Sequence, residues 1–140
     1  MYYNFLTDLN VAKKLHEDIV AQEAAGRGIP CIKQQGKSDF DFLLAGKKIE
    51  CKFDIMSGLT GNATFEDKLF ARDWDYLLQM FTYHRVFSRA QVDKLMTLYE
   101  RKRVQMGDGN CGGTLIPLNK IHEYSYLNQF LNETFKERVN

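Results

Sequence analysis

Between Asp8 and Ala25 the apolar residues Val11, Ala12, Leu15, Ile19 and Val20 recur every three to four positions, which predicts a helix. Thr7 or Asp8 supplies a side-chain oxygen to cap its first N–H groups, and Gly26 stands where it would end. The pattern then changes to short apolar runs between turn residues. Gly28-Ile29-Pro30-Cys31-Ile32 predicts a short strand, and Pro30, which has no N–H to donate, assigns it to a sheet edge or a strand start. Asp39 to Leu44 and Lys47 to Phe53 predict two strands joined by the two-residue turn Ala45-Gly46. Ser57 to Asn62 carries turn chemistry, and Ala63 to Glu66 predicts a short further strand.

Asp75 to Tyr83 is rich in aromatic and aliphatic residues and suits a buried strand, although periodicity alone is also compatible with a helix. Ser88 is an N-cap for a helix through Val92, Leu95, Met96 and Tyr99. Gly107-Asp108-Gly109-Asn110 then breaks the chain, Thr114 to Pro117 predicts a last strand, and Ile121, Tyr124, Leu127, Phe130 and Leu131 predict a C-terminal helix. With no repeat or linker, the order predicts one domain over residues 1–140, an α/β or α+β core with a mixed β-sheet flanked by helices.

Composition adds bounds. At 140 residues, 44% hydrophobic and 26% charged, the chain is long enough to bury a core. A net charge of +1 leaves any nucleic-acid surface to local clustering of Lys and Arg. Cys31, Cys51 and Cys111 are odd in number and lack C-x-x-C spacing, which fits neither a disulfide framework nor a thiolate zinc site and implies a reducing compartment. No apolar run reaches the ~18 residues of a membrane span, and the N-terminus lacks the pattern of a signal peptide. The expectation is a cytoplasmic protein with no membrane partner.

Chemistry enters at the predicted hairpin. Side chains alternate faces along a strand, so Asp39 and Asp41 share one face, and Glu50 and Lys52 share one face of the partner strand. With Ala45-Gly46 as the turn, Asp41 falls opposite Glu50 and Asp39 opposite Lys52. Two facing carboxylates repel unless a proton, a lysine or a divalent cation compensates. Hard oxygen ligands at this spacing suit Mg²⁺ or Mn²⁺, with the Cys51 backbone carbonyl as a further ligand and Lys52 placed to orient a nucleophilic water. A bare Glu-x-Lys is also what an exposed strand face with an ordinary charge pair looks like; the facing aspartate and an acid on the preceding helix make the difference.

Asp41 followed by Glu50-Cys51-Lys52 resembles the D…(D/E)-x-K signature of the PD-(D/E)xK, restriction-endonuclease-like nuclease superfamily. Glu17, in His16-Glu17-Asp18-Ile19-Val20, lies where these nucleases often carry a helical acid, with Asp18 and Glu23 as alternatives. The match covers residues 14 to 54 and is similar to archaeal Holliday-junction resolvases and compact phage endonucleases. Two features depart from the pattern: Phe40 stands in the place of the eponymous Pro, and Asp39 competes with Asp41 for the aspartate position.

The resemblance implies a restriction-endonuclease-like core and a metal-dependent deoxyribonuclease, with Asp41 and Glu50 on Mg²⁺ (Mn²⁺ as substitute), Lys52 assisting water and transition state, and Glu17 on a second metal or orienting the first. DNA as partner and a homodimer follow by analogy with the family. Junction resolution, a homing or restriction-type cut, single-strand trimming and RNA cleavage stay open. The competing class is a catalytically silent DNA-binding module or structural subunit on the same fold.

Other features carry weaker readings. Gln79-x-x-x-Tyr83 resembles a helix motif of RecB-like nucleases but falls in a predicted strand. Glu66 follows a Thr60-Gly61-Asn62 turn as in several phage nucleases, where a plain turn explains it equally. Arg85, Arg89, Lys94, Arg101, Lys102 and Arg103 are assigned to the helix after the long strand, with Lys37, Lys47 and Lys48 near the hairpin; they read either as phosphate contacts or as a solvated face. His16, His84 and His122 show no ligand spacing.

Overall fold

The computed structural model describes residues 5–34, 38–54, 60–80, 84–99, 102–106 and 109–137, with residues 5–9, 102–106 and 109–111 described by their backbone. Helix α1 (Phe5–Gly26) leads into β1 (Cys31–Lys33). Strands β2 (Phe42–Leu44) and β3 (Lys47–Phe53) form the expected hairpin, in the expected register: Phe42 pairs with Ile49, Leu43 with Lys48 and Leu44 with Lys47. Its turn has positive φ at both residues, 47° at Ala45 and 87° at Gly46, the primed geometry that matches strand twist. Strand β4 (Asn62–Glu66) and a 3₁₀ segment (Asp67–Ala71) cross to β5 (Tyr76–Met80), which runs parallel to β3.

The remaining elements are β6 (His84–Ser88), α2 (Arg89–Leu98), β7 (Lys102–Met106), β8 (Gly109–Pro117), β9 (Ser125–Tyr126) and α3 (Leu127–Thr134). The main sheet has six strands in the order β1-β2-β3-β5-β6-β9, and β4-β8-β7 form a separate three-stranded sheet. The main sheet is mixed and flanked by three helices, an α/β arrangement. Strand β1 lies at its edge, as Pro30 predicted.

Strand alternation divides the main sheet into two faces. Phe42, Leu44, Ile49, Cys51, Leu78, Met80 and Val86 pack on one side with Val20 and Ala24 of α1 and Leu127, Phe130 and Leu131 of α3. On the other side Leu77 and Phe87 pack with Val92, Leu95 and Met96 of α2, with Ala63, Phe65 and Ile116 of the small sheet, and with Leu69 and Trp74. Helix α2 starts at a capping box: the Ser88 side chain accepts from the Gln91 N–H while Gln91 accepts from the Ser88 N–H.

Several expectations change. The C-terminal helix begins only at Leu127; Tyr124 lies ahead of it, and Ile121 is buried in the core under α2. Strands β6 and β7 were not foreseen: the long strand was expected to end at Tyr83, ahead of β6, and Arg85, Lys102 and Arg103 were assigned to the helix after it. Helix α1 also turns an unexpected face inward. Val20 and Ala24 are fully buried, whereas Val11, Leu15 and Ile19 are 54%, 59% and 42% exposed. Tyr83, residues 57–59 of the expected turn, Lys37 and Arg101 lie outside the described residues.

Candidate active site

The β2–β3 hairpin positions Asp41. Its N–H donates to the Ile49 carbonyl (2.8 Å), continuing the ladder one residue beyond β2, and its carboxylate accepts from the Cys51 N–H at 2.7 Å. The carboxylate therefore sits beside Glu50, as the hairpin register requires, and the two carboxyl groups are in hydrogen-bonding contact. Glu50 is only 4% exposed. Burial first, then the hydrogen bond and charge of Asp41, push its carboxyl up to about 7, against the opposing charges of Lys52 and Arg72. Asp39 is exposed and lies outside the ladder, so of the two aspartates it is Asp41 that the hairpin holds beside Glu50.

Glu50 and Lys52 point to the face opposite the helix core, where the small sheet and the 3₁₀ segment cross. Three partners arrive from that crossing. Arg72 Nη1 reaches Glu50 Oε2 at 3.3 Å. Glu66, 3% exposed at the end of β4, takes Lys52 at 3.4 Å and Lys68 at 2.9 Å. Burial works against the charge of Glu66, but the hydrogen bond from Lys68 and the charge of Lys52 outweigh it and hold its carboxyl below the usual range. Asp54, also buried, accepts from the Thr64 N–H at 3.0 Å and ties the end of β3 to β4.

Arg72 is itself held. Arg89, the first residue of α2, donates to the carbonyls of Arg72 (2.8 Å) and Phe70 (3.0 Å), with its guanidinium 4.4 Å from the centre of the Trp74 ring. Gln79 is the β5 partner of Lys52 and of Arg85 on β6, so the three share a row on this face. Gln79 is 1% exposed, and both of its amide heavy atoms lack a hydrogen-bond partner. None of these contacts was legible in sequence. Glu66 was noted only for its turn, and Arg72 and Asp54 carried no signal.

Glu17 lies elsewhere. It is buried on α1, on the opposite side of the sheet, with Lys33 at 2.9 Å and Lys13 at 3.9 Å. Lys33 feels both Glu17 and Asp41, which makes it the link between the helical acid and the hairpin. The Cys51 thiol is fully buried on the helix side. Burial, followed by the charges of Asp41, Glu17 and Glu50, raises it well above the usual thiol range, so the thiol stays protonated, and the ligand expected of Cys51 is its backbone carbonyl. Among the described residues no three His, Cys, Asp or Glu side chains are gathered at metal-ligand spacing. The structure thus brings together Asp41, Glu50 and Lys52 and sets Glu17 apart from them.

The basic residues do not form one helix face. Arg85 is on β6, Arg89 is engaged with backbone carbonyls, Lys94 pairs with Glu123 at 2.8 Å, and Lys102 and Arg103 belong to β7. His16 and His84, distant in sequence, meet with Nδ1 and Nε2 2.7 Å apart. Burial lowers both imidazoles, and His16 lowers His84 further, so they form a neutral pair that ties α1 to β6.

No family model, curated protein or solved structure matches this chain. Among the described residues no helix is long and apolar enough to cross a membrane.

Proposed function

We propose that the chain is a divalent-metal-dependent deoxyribonuclease of the PD-(D/E)xK kind, built on a restriction-endonuclease-like core. The observation that carries the reading is the contact of two carboxyl groups, Asp41 and a buried Glu50, on the sheet face that also presents Lys52. A pair of like charges removed from water is costly, and the donors are hard oxygens, a combination that fits Mg²⁺ or Mn²⁺. Asp41 and Glu50 would hold the ion, which supplies Lewis acidity toward the phosphate and the attacking water.

The chain's own residues do the rest. The Cys51 N–H fixes one Asp41 oxygen, which holds the carboxylate beside Glu50. Arg72 offsets the charge of Glu50 from the solvent side and is available to a phosphate oxygen. Lys52, held between Glu66 and the site, keeps its ammonium on the face where a water would attack, and Glu66 sets its position. Glu17, with Lys33 between it and Asp41, acts at a distance by holding that lysine.

The engagement of Lys52 by Glu66 and of Glu50 by Arg72 equally favours the second reading, a catalytically silent DNA-binding module whose charges are internally satisfied. Cleavage of supercoiled plasmid, linear duplex, single-stranded DNA and a four-way junction with Mg²⁺ or Mn²⁺ separates the two. Cutting that needs the metal and is lost in both Glu50→Gln and Lys52→Ala supports the nuclease. DNA binding without any cutting by the unaltered protein supports the module, and RNA in the same panel tests the remaining substrate class.

A further inference from the structure

The outward face of α1 is the feature the fold leaves unexplained. An amphipathic helix normally buries its largest apolar side chains. Here the buried positions among the described side chains of α1 are Glu17, Val20 and Ala24, while Val11, Leu15 and Ile19 stand in solvent at 54%, 59% and 42% exposure. Their i, i+4, i+8 spacing makes them one continuous stripe rather than scattered exposures. Along one flank of the stripe lie Lys14 and Asp18, both exposed and themselves i, i+4. The other flank carries Ala12 and Glu23, and Glu23 is paired with Arg27 at 2.6 Å.

We propose that this face is a self-association surface, on which α1 of a second copy of the chain packs antiparallel about a two-fold axis near residue 16. In an antiparallel helix pair like flanks meet, so the Lys14/Asp18 flank faces its own copy, and Lys14 of each chain falls opposite Asp18 of the other. The same register arranges the apolar residues. With a rise of about 1.5 Å per residue, the order along the axis is Val11, the second copy's Ile19, Leu15, the second copy's Leu15, Ile19 and the second copy's Val11, at steps of about 3 Å. Six side chains interleave without collision, and two ion pairs close one side. A parallel pairing would set Lys14 and Asp18 against Ala12 and Glu23 and lose this match.

The patch is far smaller than the ~800 Å² per partner of a standard interface, so the dimer is expected to be reversible, in the micromolar range. The proposal does not depend on the nuclease chemistry, since α1 packs on the face of the sheet opposite Glu50 and Lys52. Sedimentation velocity of the full chain from 1 to 100 µM, as rough working concentrations, tests it. The unaltered protein should show a concentration-dependent dimer. Leu15→Glu should be monomeric throughout, with an unchanged circular-dichroism spectrum and, at the lowest concentration, an unchanged melting temperature, because Leu15 is 59% exposed.

Lys14→Glu and Asp18→Lys should each weaken association about tenfold, and the double variant should recover it, because each exchange alone faces like charges across the axis. A monomer at the highest concentration would overturn the proposal, as would a double variant no better than the single ones. So would a monomeric protein that instead floats with phosphatidylcholine/phosphatidylglycerol vesicles and stops doing so in Leu15→Glu, which would assign the stripe to a lipid surface.

Discussion

Replacing Glu50 with Gln should separate stability from activity in opposite directions. Glu50 is buried against Asp41, and its carboxyl is raised from 4.5 to about 7. For an acid whose folded value is raised, the native state binds more protons than the unfolded state between the two values. Stability is then fully present below about pH 4.5 and is lost as pH rises through about 7. The full shift corresponds to roughly 3 kcal/mol. Access of solvent through the Arg72 side reduces that, and the Arg72 ion pair is already contained in the net shift.

A net gain of about 1–2 kcal/mol at pH 8 is therefore expected for Glu50→Gln, shrinking to nothing by pH 5. Urea unfolding in EDTA at pH 5, 6, 7 and 8 measures it. Taking the difference between the two proteins cancels groups common to both, such as the His16–His84 pair. Added Mg²⁺ or Mn²⁺ should stabilise the unaltered protein at pH 8 and leave the variant unmoved. If Glu50→Gln is the less stable protein at pH 8, the two carboxyl groups are not a strained pair and the argument for a cation between them fails.

Ala45→Asn should stabilise the fold by about 0.5–1 kcal/mol, because Ala45 carries φ 47° in a primed turn that Asn-Gly fits better; a melting curve reads it. Ser88→Ala removes one half of the capping box of α2 and should cost about 1 kcal/mol in the same assay. Gln79→Met exchanges a buried, unpartnered amide for an apolar side chain of similar size and should raise stability by about 1 kcal/mol. If Gln79→Met destabilises instead, the amide is satisfied by buried water.

The hairpin was legible because everything that fixes it is local. Ala45-Gly46 sets the turn, the turn sets the register, and the register puts Asp41 beside Glu50 without reference to the rest of the chain. Ser88 as a cap and Pro30 at a sheet edge were legible for the same reason. The strands that escaped notice depend on distant partners. Strand β6 opens on the polar pair His84-Arg85, which carries no strand pattern of its own, and β7 is basic and polar, paired with the glycine-rich start of β8. Helix periodicity located α1 but ranked its faces by hydrophobicity alone, whereas the sheet accepts the narrow Val20/Ala24 edge together with Glu17, neutralised by Lys13 and Lys33.

At the site the same division applies, and it bears on function. The pair of carboxyl groups follows from two adjacent strands, but what controls it comes from the crossing between β3 and β5. That crossing carries Glu66 to Lys52 and Arg72 to Glu50, and it is braced by Arg89 on Trp74 and on two carbonyls of the crossing segment. Glu50 and Lys52 therefore each have an opposite charge supplied by a segment without regular strand pairing to the main sheet. A substrate phosphate would compete with Glu50 for Arg72, and whatever displaces Arg72 leaves the two carboxyl groups facing each other with the charge of Lys52 alone against them. Arrival of an anionic substrate and demand for a divalent ion are thereby coupled through one arginine, and a nuclease built this way should bind its metal more tightly with DNA present than without it.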